Sequence, residues 1–255
     1  MTNLFVDDVE GVRVLTFNRP DKLNAFDTAL YQACGLALDE AAADDTVGCV
    51  VLTGAGRAFS AGQDLAEMAE IAKSPGTSDA ASGFPRFIDT AAVFEKPLLA
   101  AVNGLGVGVG LTVLLHCDVA FIAESALLRA PFVPLGVVPE AAGSLLMPAI
   151  MGNQRAAAAL YTGDWITAAE AVASGLALAA VPDAEVLPRT LELATRIAAQ
   201  PLGALVGTKR MVIAGRLDAI RAARAREDGA FAAMMGAGSE NAAALGAFLE
   251  GGNTP

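Results

Sequence analysis

"KPLLAAVNGLGVGVGLTVLLHCDVAFIAE", residues 96–124, decides the fold class. Its apolar run Leu98–Val102 has the length of a buried strand and breaks at Asn103-Gly104, where the chain turns. Glycines then recur at every second position up to Gly110, a helix is predicted from about Val109 to His116, and "DVAFIAE" returns to strand character. Strand, crossover and strand in one short stretch is the pattern of a βα unit with parallel pairing. Upstream, "NLFVDD" and "GVRVLTF" flank a turn at Glu10-Gly11 and read as a hairpin. They are followed by a periodic helix, "DTALYQACGLALDEAAA", and a buried strand, "VGCVVLTG". Downstream, "ALLRA" reads as a further strand, and from about residue 186 the strand pattern stops and helices broken at Pro201 and Gly215 follow. The expected architecture is therefore α/β: a core over 1–190 and a helical C-terminal subdomain over 191–255. A Ser-, Gly- and Pro-containing stretch at 72–84 is expected to form a mobile loop bordering a site.

Composition narrows the partners. The 255 residues carry a net charge of −11, which disfavours nonspecific binding to nucleic acid, because such binding depends on Lys and Arg neutralising phosphates. A phosphate-bearing ligand must then meet a local basic patch. Although 54% of the residues are hydrophobic, no uncharged apolar run reaches the roughly 18 residues of a membrane span. The N-terminus shows no basic region followed by an apolar stretch, so a cytoplasmic protein is expected. Cys34, Cys49 and Cys117 lie far apart without metal-ligand spacing and read as small buried apolar residues.

Two glycine-rich turns each follow a strand: "GAGRAFSAGQDL" (54–65) and "VNGLGVGVGL" (102–111). Glycine lets backbone N–H groups approach a ligand, and the second turn opens a helix whose first N–H groups favour developing negative charge. Set side by side, the turns could aim two donors at one oxygen, as an oxyanion hole does. A dinucleotide-binding turn would need G-x-G-x-x-G with an acid about 20 residues on; here Asp118 is too close. Glu140 is the second feature. No other acid occurs between Glu124 and Asp164, and a carboxylate set in apolar sequence has a raised pKa suited to a base. Its position after Pro139 and before a helical run, Ala141 to Met151, also fits an acid that stabilises a helix start.

Taken in order, "FNRPDKLNAF" (17–26), the two glycine turns, "LGVVPEAAGS" (135–144) and "LYTGDWITAAEAVASGLA" (160–177) make the chain resemble the crotonase superfamily of enoyl-CoA hydratases and isomerases over nearly its whole length. The resemblance implies a ββα spiral core and an acyl-CoA thioester substrate, with coenzyme A entering as part of that substrate and no separate cofactor. It places the thioester carbonyl between the N–H groups of Gln63, in Ala61-Gly62-Gln63-Asp64, and Val109, in Gly108-Val109-Gly110. Hydration in this family resembles a two-glutamate reaction, but the matching positions hold Thr112 and Phe132. "VPEAAGS" instead resembles the segment that carries the glutamate of Δ3,Δ2-enoyl-CoA isomerases. Glu140 falls at that glutamate. One carboxylate that moves a proton from C2 to C4 suffices for isomerisation.

Further expectations follow, some from the resemblance and some from the residues themselves. Lys22 and Ala25 match a segment lining the coenzyme A site, although Lys22 is equally a residue of a solvated turn. Lys209 is a candidate contact for the coenzyme A phosphates, as is Arg210. Asp64 and Asp118 read as structural acceptors of backbone N–H groups, and His116 as a core or interface residue. The C-terminal helices are expected to assemble trimers or hexamers and to wall the acyl pocket. Two other readings stay open: another acyl-CoA reaction, such as hydration or thioester hydrolysis, and a non-catalytic acyl-CoA binder that would need the amide pair but no base.

Overall fold

The computed structural model describes residues 2–67, 80–234 and 244. Most of the 72–84 stretch lies outside the described residues, and a helix runs from Ala80. The chain opens with the expected hairpin: β1 (Leu4–Val9) pairs antiparallel with β2 (Val12–Phe17) across Glu10 and Gly11, both left-handed at φ 49° and 77°. A pair of positive φ angles makes a turn whose twist matches that of the strands. Helix α1 (Thr28–Ala43) starts where the Asp27 side chain accepts the Leu30 N–H at 2.8 Å.

From there the chain repeats one unit, a long strand followed by a short one. The long strands β3 (Cys49–Gly54), β5 (Leu98–Val102) and β7 (Val119–Ala123) extend the hairpin in parallel. The short strands β4 (Ala58–Ser60), β6 (Leu105–Val107) and β8 (Leu127–Arg129) form a second sheet, also parallel. Helices α2 (Ala80–Val93) and α3 (Val109–Thr112), the latter continued as a 3-10 turn to His116, close the units. Beyond β8 come α4 (Gly143–Met151), α5 (Asn153–Thr162), β9 (Ile166–Thr167), α6 (Ala168–Ser174) and β10 (Ala179–Val181). The first sheet has the order β1-β2-β3-β5-β7-β10 and the second β4-β6-β8-β9. This is a ββα spiral. Two of the corners between the sheets admit no side chain: a Cβ on Gly54 would run into the Ala58 carbonyl oxygen, and one on Gly104 into the Arg57 carbonyl oxygen.

Both faces of β2, β3, β5 and β7 are buried, which is why these strands read as continuous apolar runs, whereas the edge strand β1 is largely exposed. Side chains alternate along each strand. Leu15, Phe17, Val50, Leu52, Leu98 and Ala100 point into the main core with α1 and α2. Val12, Val14, Cys49, Val51, Leu99 and Ala101 point the other way, onto Ala194 and its neighbours. Ala194 belongs to α7 (Val186–Ala198), which packs across β3, β5 and β7. The division at 190/191 thus falls inside α7, and this first C-terminal helix is a layer of the core. Helices α8 (Leu202–Ala214) and α9 (Leu217–Met234) follow, and α9 folds back onto α4 and α2 of its own chain. Among the described residues, no helix is long and apolar enough to cross a membrane.

The dependence of the second face on α7 is directly testable. Ala194 is fully buried, so Ala194→Asp places an unpaired charge against the sheet, a change of about 3–5 kcal/mol. A melting temperature lower by roughly 10 °C is expected. An unchanged transition would mean that α7 does not cover the sheet.

Candidate active site

The pairing of β4 with β6 brings the two glycine turns together. Ala58 stands opposite Leu105 and Ser60 opposite Gly106, so the residues that follow each strand emerge side by side. A Cβ on Gly62 would lie 2.7 Å from the Val107 carbonyl oxygen, and one on Gly108 would lie 3.9 Å from the Gly62 Cα. Both glycines also have positive φ, 93° and 53°. No side chain fits between these turns, and their backbones touch.

Geometry fixes which N–H groups are left over. Gln63 forms a parallel bridge with Phe26, in which Phe26 N–H donates to Gly62 O at 2.7 Å and Asp64 N–H donates to Phe26 O at 2.8 Å. In such a bridge the N–H of Gln63 points away from Phe26. Val109 is the first residue of α3, and the N–H groups of a first helical turn have no intrahelical partner. Leu111 and Thr112 N–H groups both donate to Gly108 O at 2.9 Å, while neither Gln63 N–H nor Val109 N–H has a hydrogen-bond acceptor among the described residues.

The segment around Gln63 is held firmly. Asp64 is buried, pairs with Arg19 at 2.9 Å, and accepts the Ala66 N–H at 3.1 Å. Burial opposes ionisation of Asp64, but Arg19 and the backbone N–H groups outweigh it and hold the carboxyl below its usual range. Arg19 also donates to the carbonyl of buried Ala25 at 2.5 Å, and Ala61 N–H donates to Leu23 O at 2.9 Å. Lys22 stands exposed on the same segment, as the sequence suggests for a solvated turn beside the site. Tyr31, fully enclosed on α1, donates its hydroxyl to Gln63 Oε1 at 2.9 Å.

Glu140 lies across from this group. It is partly accessible at its surface while protein atoms surround its carboxylate. Burial raises its pKa to about 8; Arg224 opposes the rise, and Glu227 and Asp228 add to it. The phenol of Tyr31 is likewise pushed up, first by burial and next by the charge of Glu140, so the carboxylate and the Gln63–Tyr31 pair share one field. Thr112 and Phe132 are both buried. A Cβ on Gly143 would sit 3.7 Å from the Thr112 methyl, and Thr112 Oγ1 has no hydrogen-bond partner among the described residues.

Two expectations need correction. Helix α4 does not begin at Ala141 with Glu140 as its first-turn acid. Ala141 and Ala142 are both left-handed, at φ 58° and 59°, and the helix begins at Gly143. The carboxylate at its start is that of Glu227. Lys209 is not placed to meet phosphates: it is 5% exposed, with its Nζ 2.5 Å from both carboxylate oxygens of Asp118, which also accepts the Leu98 N–H at 2.9 Å. Arg210 is exposed and pairs with Glu95 at 2.7 Å. His116 is buried and its Nε2 bonds Ala141 O at 2.9 Å, which fits the core role expected of it.

Tyr31, Arg19, Arg224 and Glu227 were not among the expected site residues. A usable pattern existed for the last two. On α9 the buried positions are Ile220, Ala223, Arg224 and Glu227, the spacing of an apolar stripe, so two charges fall where a surface helix carries hydrophobic residues.

Comparison with known proteins identifies the family. The family model described as enoyl-CoA hydratase/isomerase matches residues 7–254. The chain belongs to the enoyl-CoA hydratase/isomerase family. It is 33% identical over 250 residues to the 2,3-dehydroadipyl-CoA hydratase of Escherichia coli, covering 98% of this chain and 96% of that one. It is 39% identical over 184 residues to the enoyl-CoA delta isomerase 2 of Rattus norvegicus, covering 71% of this chain and 46% of the relative. A solved enoyl-CoA hydratase/isomerase from Pseudoalteromonas atlantica T6c superposes with a TM-score of 0.92 at 34% identity, over 98% of this chain and 97% of that one. Within this enoyl-CoA hydratase/isomerase fold, relatives with either activity stand at similar distance.

The enclosure of Glu140 has a consequence that needs no substrate. Because its folded pKa of about 8 lies above the ordinary glutamate range, the folded state holds the proton longer than the unfolded state. This contribution is fully present below the unfolded pKa and is lost as pH rises toward 8. Glu140→Gln, which cannot ionise, is therefore expected to melt roughly 5 °C or more above the native chain at pH 9, with the gap nearly closed at pH 5. A gap independent of pH would contradict the enclosure.

Proposed function

We propose that this member of the family is a Δ3,Δ2-enoyl-CoA isomerase, with Glu140 as its single proton shuttle. The observation that carries the reading is the disposition of carboxylates. Glu140 lies close enough to the Gln63–Tyr31 pair for its charge to raise the Tyr31 phenol, whereas the two positions at which hydration would call for acids hold Thr112 and Phe132, both buried. A phenyl ring and an uncharged hydroxyl give an attacking water no carboxylate base.

In this reading the thioester carbonyl of a 3-enoyl-CoA lies between Gln63 N–H and Val109 N–H. The ionised carboxylate of Glu140 takes a proton from C2, the C2–H electron pair moves into a dienolate, and the two amides stabilise the oxygen. The protonated Glu140 then delivers the same proton to C4 as the double bond settles between C2 and C3. The reaction is neutral in electrons and needs no redox cofactor. Removing one such amide donor elsewhere lowers rates by roughly 10²–10³-fold. Raising the pKa of Glu140 toward that of its working range makes it both an effective base and an effective acid in turn. Ala61, Gly62, Asp64, Gly108 and Gly110 serve by shaping the two turns, and Lys22 and Ala25 by flanking the coenzyme A entrance. A closed trimer or hexamer is part of the proposal; Met211 and Val212 on α8, 73% and 55% exposed, supply apolar surface for a second subunit.

The test offers cis- and trans-3-enoyl-CoA and 2-enoyl-CoA separately. Double-bond migration is expected from the 3-enoyl substrates, and Glu140→Gln should lower it by about 10²–10⁴-fold, the contribution of a general base, with thioester affinity within a few-fold of the native chain. Hydration of 2-enoyl-CoA that outpaces migration, or thioester affinity that falls in step with the rate, would sink the isomerase reading. Binding without any conversion would leave an acyl-CoA binder.

A further inference from the structure

We propose that Glu227 is the positioning residue of Glu140: its carboxylate, reaching in from the C-terminal helix α9, holds the left-handed Ala141–Ala142 pair that aims Glu140 toward the Gln63–Tyr31 pair. The inference rests on Glu140 being the base.

Two consecutive non-glycine residues in the left-handed region are disfavoured, because each Cβ crowds its own backbone. Ala141 and Ala142 adopt this conformation while fully buried, immediately after Glu140. No neighbouring side chain caps them. The residue at the start of α4 is Ala142, which has no side chain able to cap the helix, and the first turn contains no acid. Glu227 replaces that missing cap from 85 residues away: one oxygen accepts the Ala142 N–H at 2.7 Å, and the other accepts the Ser144 N–H at 2.8 Å and its hydroxyl at 2.5 Å. From the opposite side, His116 donates from Nε2 to the Ala141 carbonyl at 2.9 Å. Burial depresses that imidazole to about 4, so it remains neutral and keeps its proton on Nε2. Gly143 N–H closes the turn onto Glu140 O at 2.8 Å.

The acceptor pattern demands a carboxylate. All three groups facing Glu227 are donors, so a carboxamide in its place would set its NH₂ against an N–H or a hydroxyl. The charge acts as well as the geometry. Facing Glu140 are Arg224, Glu227 and Asp228 from α9 and Tyr31 from α1, while His116 faces the adjoining Ala141 and Asp89 of α2 pairs with Arg224 at 3.0 Å. Removing the negative charge of Glu227 leaves Arg224 less opposed and makes Glu140 easier to ionise.

The experiment measures kcat, KM and the pH profile of 3-enoyl-CoA isomerisation for Glu227→Gln. A fall in kcat of about 10²-fold, the scale of a displaced catalytic group, is expected with KM within a few-fold, together with an acid limb moved below that of the native chain. Adding Ala142→Gly should restore much of the lost kcat, since glycine takes the left-handed conformation without a Cβ penalty. Ser144→Ala, which removes one donor and leaves α9 untouched, should lower kcat several-fold and serves if Glu227→Gln does not fold. Unchanged kcat and pH profile in Glu227→Gln, a loss that Ala142→Gly leaves unrepaired, or an unaffected Ser144→Ala would each overturn the inference. Full activity in Glu140→Gln would instead remove the base assignment on which it stands, whereas an inactive Glu140→Gln beside an unimpaired Glu227→Gln would overturn the positioning role alone.

Discussion

The contact between Gly62 and the Val107–Gly108 backbone is the constraint on which the site depends. It exists because β4 and β6 are parallel neighbours in the small sheet, and it persists because neither turn has a Cβ to force them apart. Parallel pairing delivers two chain segments to the same edge in the same direction, so the two turns that follow the strands lie side by side. Much of the surrounding structure holds that contact in place. Arg19, Asp27 and Asp64 form a linked set of ion pairs beneath the first turn, Asn24 donates to the carbonyls of Ala55 and Ala58 at 2.8 and 2.7 Å, and Ser60 donates to Asn24 O at 2.9 Å.

Against this fixed pair of donors the carboxylate side is built from distant parts. Glu140 is carried by a strained turn, the turn is tied by a histidine at the end of the α3 segment, and the start of the next helix is capped by a residue of α9. The C-terminal helices thus complete the core and the site in different ways: α7 covers the second face of the sheet, and α9 supplies charge and hydrogen-bond acceptors to the neighbourhood of Glu140. That division explains why a single boundary at 190/191 describes the chain poorly. The carboxylate also works against stability, since enclosure with no ion pair among the described residues keeps Glu140 protonated well into the neutral range.

What the sequence made legible follows from the range of the interactions involved. Buried parallel strands read directly as apolar runs, and turns that admit no side chain read as glycine, so the order of the core elements and the two glycine turns were accessible. The isolation of Glu140 in apolar sequence likewise reported its enclosure. Long-range pairing was not accessible. Lys209 looks like an available cation until Asp118, 91 residues away, is seen to hold it. The start of α4 looked ordinary because its cap lies in another helix, and nothing in "PEAAGS" indicates that two alanines turn left-handed. Only the misplaced charges on the buried stripe of α9 hinted at that arrangement.

The central claim is that the Gln63 and Val109 amides together grip a thioester carbonyl. It is tested most directly by the infrared spectrum of 2-enoyl-CoA carrying ¹³C at the thioester carbon, recorded free and bound to the protein. Two preorganised donors withdraw electron density from the C=O bond more strongly than water does. The account requires the bound carbonyl to absorb at lower frequency than the free one, with the shift diminished in Gly62→Ala. A bound carbonyl at the aqueous frequency or above it would contradict the account.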